Sequence, residues 1–315
     1  NNGNRFSYST WLQDSFLNHV ANHKFKENAK MKECFKSQEV IAQKMMEEAL
    51  PDAQKIVECT SVKYVSAHSW TLERNKIAKL CGEPECKREQ VECELSNSES
   101  VAGEFITGSK DQMVLLKEEI LADPEFHVEA LLHEWAHAYC EAAEKKESYI
   151  PAEYHNGCFP NDELRRGYSM WKEFAAQGIC KKICAVNGLK CKDSITEELR
   201  GYLEDLICNI AAENQIGYFF ADLFFDCRLE ENADRKQLLR ELLKGYDIDI
   251  QSDFLELYSI MVTQRTEKEF WKTTVDYLED LGEIIGRIKF QAMYNAKEKE
   301  IRRLAESFIE KSSDI

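Results

Sequence analysis

Two histidines and a glutamate form the densest group of reactive side chains in this sequence. His133 and His137 are four residues apart, and Glu134 directly follows the first of them. On a helix, residues at this spacing project from the same face, so the two imidazoles can bind one zinc ion together. Glu134 could then reach a water molecule beside the metal and take its proton. The pattern predicts hydrolysis by an activated water.

A helix that can present this pattern begins at Asp123-Pro124. Aspartate caps free backbone amides, and proline is tolerated at the first helical position. We expect the helix to run to about Ala143. Its apolar side chains recur at helical spacing and form a wide buried face, which comprises Val128, Leu131, Leu132, Trp135, Ala136 and Tyr139. The histidines therefore lie on a helix that packs into a core.

These residues resemble the zincin metallopeptidases. In that family, an edge strand, a helix with the HExxH pattern and a ligand from a later helix build a zinc site. The resemblance extends over about residues 101 to 178, roughly a quarter of the chain. It implies one catalytic zinc ion held by His133 and His137, with Glu134 as the base. It also implies that residues 112–117 form the edge strand, to which an extended peptide substrate pairs by strand addition.

The third ligand decides the branch of that family. Residues 171–177, Trp-Lys-Glu-Phe-Ala-Ala-Gln, look like the glutamate helix of the gluzincins, the thermolysin-like branch, and this implies Glu173 as the third ligand. The small Ala175 and Ala176 would let this helix approach the histidine helix closely. Gln177 stands where that branch often has an aspartate, and its amide oxygen can accept the same hydrogen bond from a ligand imidazole.

His155 is the alternative third ligand. It lies eighteen residues after His137, in the segment Tyr-His-Asn-Gly-Cys-Phe, which is similar to the third-ligand segment of SprT-like metalloproteases. The spacing is longer than that family suggests, and no zinc-ribbon cysteines follow. If Glu173 binds the metal, His155 could instead donate a hydrogen bond to the developing oxyanion, a role for which Tyr154 and Tyr168 are also candidates.

Short β-strands and long helices must position these side chains. Three segments rich in β-branched and aromatic residues predict a small sheet: residues 59–67, 103–107 and 112–117. Apolar residues recur at helical spacing in four further segments: residues 10–57, 162–187, 194–223 and 267–310. We therefore expect an α+β, mostly helical fold with a zincin-like core and flanking N- and C-terminal helical layers.

The expected divisions of the chain follow from this arrangement. Residues 1–57 would form an N-terminal helical segment, residues 58–190 the catalytic core, and residues 191–315 a C-terminal helical subdomain packed on that core. The sequence contains no internal repeat, and no long flexible linker separates the three divisions.

Charge and hydropathy narrow the class of partner. The 315-residue chain has 57 acidic and 41 basic residues, and its formal net charge of −16 repels the phosphate backbone of nucleic acids. No apolar run approaches the ~18 residues of a membrane span. We expect no nucleic-acid or membrane partner, and a cytoplasmic location with reduced cysteines. Nothing in the sequence indicates the oligomeric state.

The leading hypothesis is a zinc-dependent peptidase that acts on a peptide or protein substrate. The second hypothesis is a helical binding or regulatory protein that retains a zincin core without turnover. Glu134 argues against the second, because a protein that only binds has no chemical reason to keep a base beside both ligands.

Overall fold

The computed structural model describes six stretches of the chain: residues 28–85, 102–147, 150–189, 194–208, 212–266 and 269–313. Within them the protein is mostly helical with one three-stranded sheet, so the predicted α+β, mostly helical class is confirmed. The expected helical residues 10–27 lie outside the described residues.

The elements alternate between helices and short strands before the histidine helix, and are helical after it. The first set comprises α1 (Asn28–Ala49), α2 (Ala53–Cys59), β1 (Ser61–Val65), α3 (Trp70–Cys81), β2 (Gly103–Thr107), β3 (Gln112–Lys117) and α4 (Pro124–Glu147). The second set comprises α5 (Ala152–His155), α6 (Asp162–Val186), α7 (Ile195–Cys208), α8 (Ala212–Phe225), α9 (Arg235–Leu242), α10 (Ile248–Thr266) and α11 (Val275–Ser313). None of the helices in the described residues is long and apolar enough to cross a membrane.

The sheet has the order β1-β3-β2, with β1 parallel and β2 antiparallel to β3. Residues 112–117 therefore form the central strand, and the expectation that they form the edge strand is wrong. Val114 pairs with Val62 on one side and with Phe105 on the other. The apolar run Val114 to Leu116 is fully buried, as is typical of a strand covered on both faces. The edge strand beside the histidine helix is β2.

The histidine helix α4 begins where the sequence predicts. The side chain of Asp123 accepts hydrogen bonds from the backbone N–H groups of Glu125 and Phe126, at 3.1 and 3.2 Å. This cap satisfies amides that the first helical turn leaves without a partner. Leu131, Leu132 and other residues of the predicted apolar face are buried, so one side of α4 is fixed in the core.

The predicted helix from residue 194 to residue 223 is instead two helices, α7 and α8, that pack against each other. The rings of Tyr202 and Tyr218 lie 5.9 Å apart, and the hydroxyl of Tyr202 donates a hydrogen bond to Asp222. In one continuous helix, sixteen residues would separate the two tyrosines by about 24 Å. Helices α7 and α8 therefore lie side by side, which apolar periodicity alone does not indicate.

The last helix begins at Val275 rather than near residue 267, and it crosses α6 in backbone contact. A Cβ atom on Gly167 would lie 1.9 Å from the carbonyl oxygen of Leu278, and one on Gly282 would lie 1.7 Å from that of Glu163. Real Cβ atoms do not approach so closely, so both positions require glycine. Helix α6 is thus held by α11 on one side and by α4 on another.

One continuous hydrophobic core joins the three predicted divisions of the chain. It extends from Ala42 in α1, through Trp135 and Trp171, to Ala292 in α11. A smaller cluster around Trp70 covers the other side of the sheet. The cysteine side chains that the structure describes form no disulfide with one another. The zinc-ligand candidates therefore lie inside one packed unit.

Candidate metal site

The side chains of His133, His137 and Glu173 converge on one point. The Nε2 atoms of the two histidines are 3.1 Å apart, and Oε2 of Glu173 lies 3.2 Å from Nε2 of His137 and 3.3 Å from Nε2 of His133. A tetrahedral zinc ion with bonds of about 2.0–2.1 Å places its donor atoms about 3.3 Å apart. These three donors could therefore hold a metal ion with little rearrangement.

The antiparallel packing of α4 on α6 brings the third donor to the histidines. Four polar pairs connect the two helices. The first three follow one another at intervals of about one turn: Glu129 with Lys181 at 2.9 Å, His133 with Gln177 at 2.9 Å, and His137 with Glu173 at 3.2 Å. The fourth, Glu144 with Tyr168 at 3.3 Å, lies about two turns further along α4. Each step along α4 is matched by a similar step back along α6. This register explains how residues 36 positions apart share one site.

Helix α8 packs behind the candidate ligand Glu173. A Cβ atom on Gly217 would lie 2.5 Å from the carbonyl oxygen of Met170 and 2.8 Å from Cβ of Glu173. Position 217 favours glycine because α8 lies directly against Met170 and Glu173. The next residue, Tyr218, places its ring centroid 5.5 Å from that of His133. Sequence reasoning missed both residues, although a glycine inside an apolar helix is a signal of close packing.

Glu134 lies between α4 and the edge strand β2. A Cβ atom on Gly103 would lie 3.0 Å from Oε1 of Glu134, so the strand approaches the carboxyl closely. Burial raises the pKa of Glu134 to about 8, which the neighbouring His133 and the backbone N–H of Phe105 partly oppose. A carboxyl with a pKa near neutrality can both accept and return a proton.

The three candidate ligands share charge in a buried setting. Burial opposes ionisation of Glu173, but the two imidazoles outweigh it and hold its pKa well below the usual range. Burial also opposes protonation of His133, yet the adjacent carboxylates raise its pKa. For His137 burial dominates, and its pKa is lowered. The site therefore keeps one carboxylate negative, as a cation requires.

Gln177 and Asp222 form a second layer behind His133. Oε1 of Gln177 lies 2.9 Å from Nδ1 of His133, the position in which the sequence predicts an acceptor. Nε2 of Gln177 donates a hydrogen bond to Oδ1 of Asp222 at 3.0 Å. Sequence reasoning did not find Asp222, because its partner lies 45 residues earlier on another helix. The available signal was an aspartate inside an apolar helical run, which must find a partner when buried.

The proposed oxyanion candidates lie elsewhere. The hydroxyl of Tyr168 is 3.2 Å from Nδ1 of His155 and donates a hydrogen bond to Glu144 at 3.3 Å. Glu144 is seven residues beyond His137, about 10 Å along α4. Tyr154 is buried with its ring 5.1 Å from that of Phe159. The structure thus places Glu173, and not His155, beside His133 and His137.

A second group of carboxylates also has the spacing of metal ligands. The carboxylates of Glu198, Asp222 and Asp226 offer oxygens within 4.8 Å of one another. The ammonium of Lys181 lies 3.8, 3.8 and 3.5 Å from them, and Arg228 pairs with Glu198 and Asp226. Burial disfavours the charge of Lys181, but these carboxylates outweigh it and raise its pKa. Protein cations already balance this group.

Comparisons with known proteins add no family to these observations. No family model matches the chain, and no curated protein or solved structure matches it. The geometry by itself identifies two histidines and one glutamate able to hold a metal ion, with a second glutamate beside them.

Proposed function

We propose that the chain is a zinc-dependent peptidase, with His133, His137 and Glu173 as zinc ligands and Glu134 as the base. The observation that carries the proposal is the nearly equilateral triangle of donor atoms, 3.1 to 3.3 Å on each side. No lysine or arginine in the described residues forms an ion pair with Glu173. Three protein donors leave a fourth position for water or substrate, as in catalytic zinc sites.

Each residue of the site has a distinct task in peptide hydrolysis. Bound zinc would polarise the scissile carbonyl and increase the acidity of the attacking water. Glu134 accepts the proton of that water and returns it to the leaving amine. Its contacts with Gly103 and Phe105 keep the carboxyl turned towards β2. Gln177 orients His133, because a ligand imidazole needs a partner for its second nitrogen.

The substrate would lie along the outer edge of β2. In an antiparallel pair, alternate residues direct their backbone groups away from the partner strand. Lys117 donates a backbone hydrogen bond to Ala102, so Gly103 and Phe105 direct theirs away from β3, to the side of Glu134. An added peptide strand would gain affinity from main-chain hydrogen bonds and need little sequence selectivity. The net charge of −16 favours neutral or basic peptides.

Two other functions remain as alternatives with distinct consequences. A binding protein built on the same site would hold zinc and release no product. A SprT-like arrangement would use His155 as the third ligand, which would require α5 to move from its place beside Glu144 and Tyr168.

Zinc content and peptide hydrolysis, measured together, test the proposal. The parent chain is compared with His137→Ala, Glu173→Ala, His155→Ala and Glu134→Gln by elemental analysis and by cleavage of an unfolded protein substrate. We expect about one zinc ion per chain in the parent, His155→Ala and Glu134→Gln, and none in the other two. Glu134→Gln should keep zinc and lose about 10²–10⁴-fold in rate.

The other outcomes separate the alternatives. Zinc lost with His155→Ala and kept with Glu173→Ala would establish the SprT-like site. Zinc bound in the parent without product would establish a binding protein. A parent chain that binds no zinc would contradict the proposal itself.

A further inference from the structure

We propose that Asp222 is a positioning residue for the zinc ligand His133, and that it acts through the side-chain amide of Gln177. The inference rests on the proposed zinc site but concerns a residue outside it. Asp222 lies on α8, and three side chains from two other helices converge on its carboxylate.

The polarity of the Gln177 amide transmits the effect of Asp222. An ionised carboxylate only accepts hydrogen bonds, so the NH₂ end of the amide must face Asp222, at 3.0 Å. The carbonyl oxygen then faces Nδ1 of His133, at 2.9 Å. Because that oxygen also only accepts, His133 must carry its proton on Nδ1. Nε2 of His133 is left with a free lone pair towards His137 and Glu173, where the metal would bind.

Asp222 is itself held in a fixed orientation. Its side chain is fully buried, and its second oxygen, Oδ2, accepts a hydrogen bond from the hydroxyl of Tyr202 at 3.2 Å. The ammonium of Lys181 lies 3.8 Å from Oδ1 and balances the charge. The carboxylate therefore keeps one orientation, with Oδ1 facing the NH₂ group of Gln177. The buried charge of Asp222 thus selects the tautomer of His133 through the neutral amide of Gln177.

The decisive measurement is zinc affinity, obtained by competition with a chromogenic chelator in the intact chain. Burial raises the pKa of Asp222 to about 7, so the measurement is made at pH 8, where the carboxylate is ionised. Asp222→Asn replaces the carboxylate by an amide that can donate as well as accept, so the direction of the Gln177 amide is no longer fixed. Zinc binding should weaken by about 10-fold, the lower end of the range for a disturbed partner behind a ligand histidine. The matched control is Asp226→Asn, which removes an equal charge 3.5 Å from Lys181. It should change zinc affinity by less than about threefold.

A double variant tests whether the effect of Asp222 reaches His133 through Gln177. In Gln177→Glu with Asp222→Asn, the carboxylate stands directly behind His133, and the amide at position 222 donates to it. A carboxylate is the usual partner of a ligand histidine, so zinc affinity should return to within about threefold of the parent value. A merely structural role of Asp222 would not produce this recovery.

Three results would overturn the inference: parent-like zinc affinity in Asp222→Asn, an equal loss in Asp226→Asn, or no recovery in the double variant. If Asp222→Asn does not fold, Gln177→Met breaks the same link while Asp222 keeps Tyr202 and Lys181, and it should show the same loss of affinity. A parent chain without zinc would overturn the proposed function as well. A zinc-binding parent with unchanged variants would overturn this inference alone.

Discussion

Two groups of side chains with the spacing of metal ligands lie at opposite ends of the Gln177 amide, and they balance their charge differently. At one end, Glu173 faces two imidazoles, and no ion pair to lysine or arginine is formed in the described residues. At the other end, Lys181 and Arg228 lie among the carboxylates of the second group. Both groups have the spacing of metal ligands. Spacing alone therefore does not identify a metal site.

The difference between the two groups is one of charge balance. A buried carboxylate is costly unless a cation or several hydrogen bonds compensate it. The second group is compensated by residues of the chain, so an added metal ion would have to displace Lys181. In the first group the two imidazoles compensate Glu173, and the same nitrogen atoms could bind a metal ion in place of a proton. The predictions below test this distinction.

The largest effect is expected when the ammonium of Lys181 is removed from the second group. Lys181→Met leaves Asp222 and Asp226 without their shared ammonium, and breaking a buried ion pair typically costs about 3–5 kcal/mol of unfolding free energy. Urea unfolding measures the change. The control is Lys55→Met, because the pair of Lys55 with Asp52 is solvent-exposed and should contribute less than about 1 kcal/mol. Equal effects of the two variants would contradict the distinction.

Zinc should stabilise the first group and leave the second unaffected. At free zinc about 1,000 times its dissociation constant, the free energy of unfolding should rise by about 4 kcal/mol. His137→Ala should abolish this increase, whereas Glu198→Gln in the second group should retain it. Thermal unfolding with and without zinc provides the measurement. If Glu198→Gln abolished the increase instead, zinc would bind the second group, which would contradict the distinction.

Glu144 is a third buried carboxyl, beside the hydroxyl of Tyr168 and Nδ1 of His155. Burial raises its pKa to about 7, against 4.5 for the free side chain. Between these values the folded chain binds more protons than the unfolded chain, so the free energy of unfolding contributed by Glu144 falls as pH rises. Relative to Glu144→Gln, the parent should lose about 2–3 kcal/mol of stability between pH 5 and pH 8. A pH-independent difference would refute the shift.

The smallest effect concerns the packing behind Glu173. Gly217→Ala should cost about 1–3 kcal/mol and weaken zinc binding, because the added methyl group meets Met170 and Glu173. Gly201→Ala is the matched control, since nothing lies within 4 Å of a Cβ atom there. In the middle of a helix this control should stabilise the chain by about 0.5–1 kcal/mol. Urea unfolding and chelator competition distinguish the two variants.

Local signals explain what could be predicted from the sequence. The cap at Asp123 and the four-residue spacing of His133 and His137 involve one helix, so the helix and its two candidate ligands could be placed directly. The three strands also lie where composition predicts them. The resemblance to gluzincins predicts Glu173 as the third ligand, and the structure brings Glu173 to the two histidines.

Features that depend on distant contacts could not be predicted in the same way. The central position of β3 depends on its pairing with β1, more than forty residues earlier, although its buried apolar run was an available sign. The packing of α8 beside α7 and the contacts of Asp222 depend on how whole helices pack. Side-chain type indicates that such groups need partners, but only the fold determines which partners they find.

The contact of Gly167 with α11 has a consequence for the biosynthesis of the protein. All three candidate ligands have been translated once the ribosome passes Glu173, but the backbone that supports α6 at Gly282 is made more than a hundred residues later. At about 5–20 residues per second, this interval lasts roughly 5–20 seconds. The nascent chain therefore holds all three candidate ligands before it holds the helix that packs against α6, the helix of Glu173.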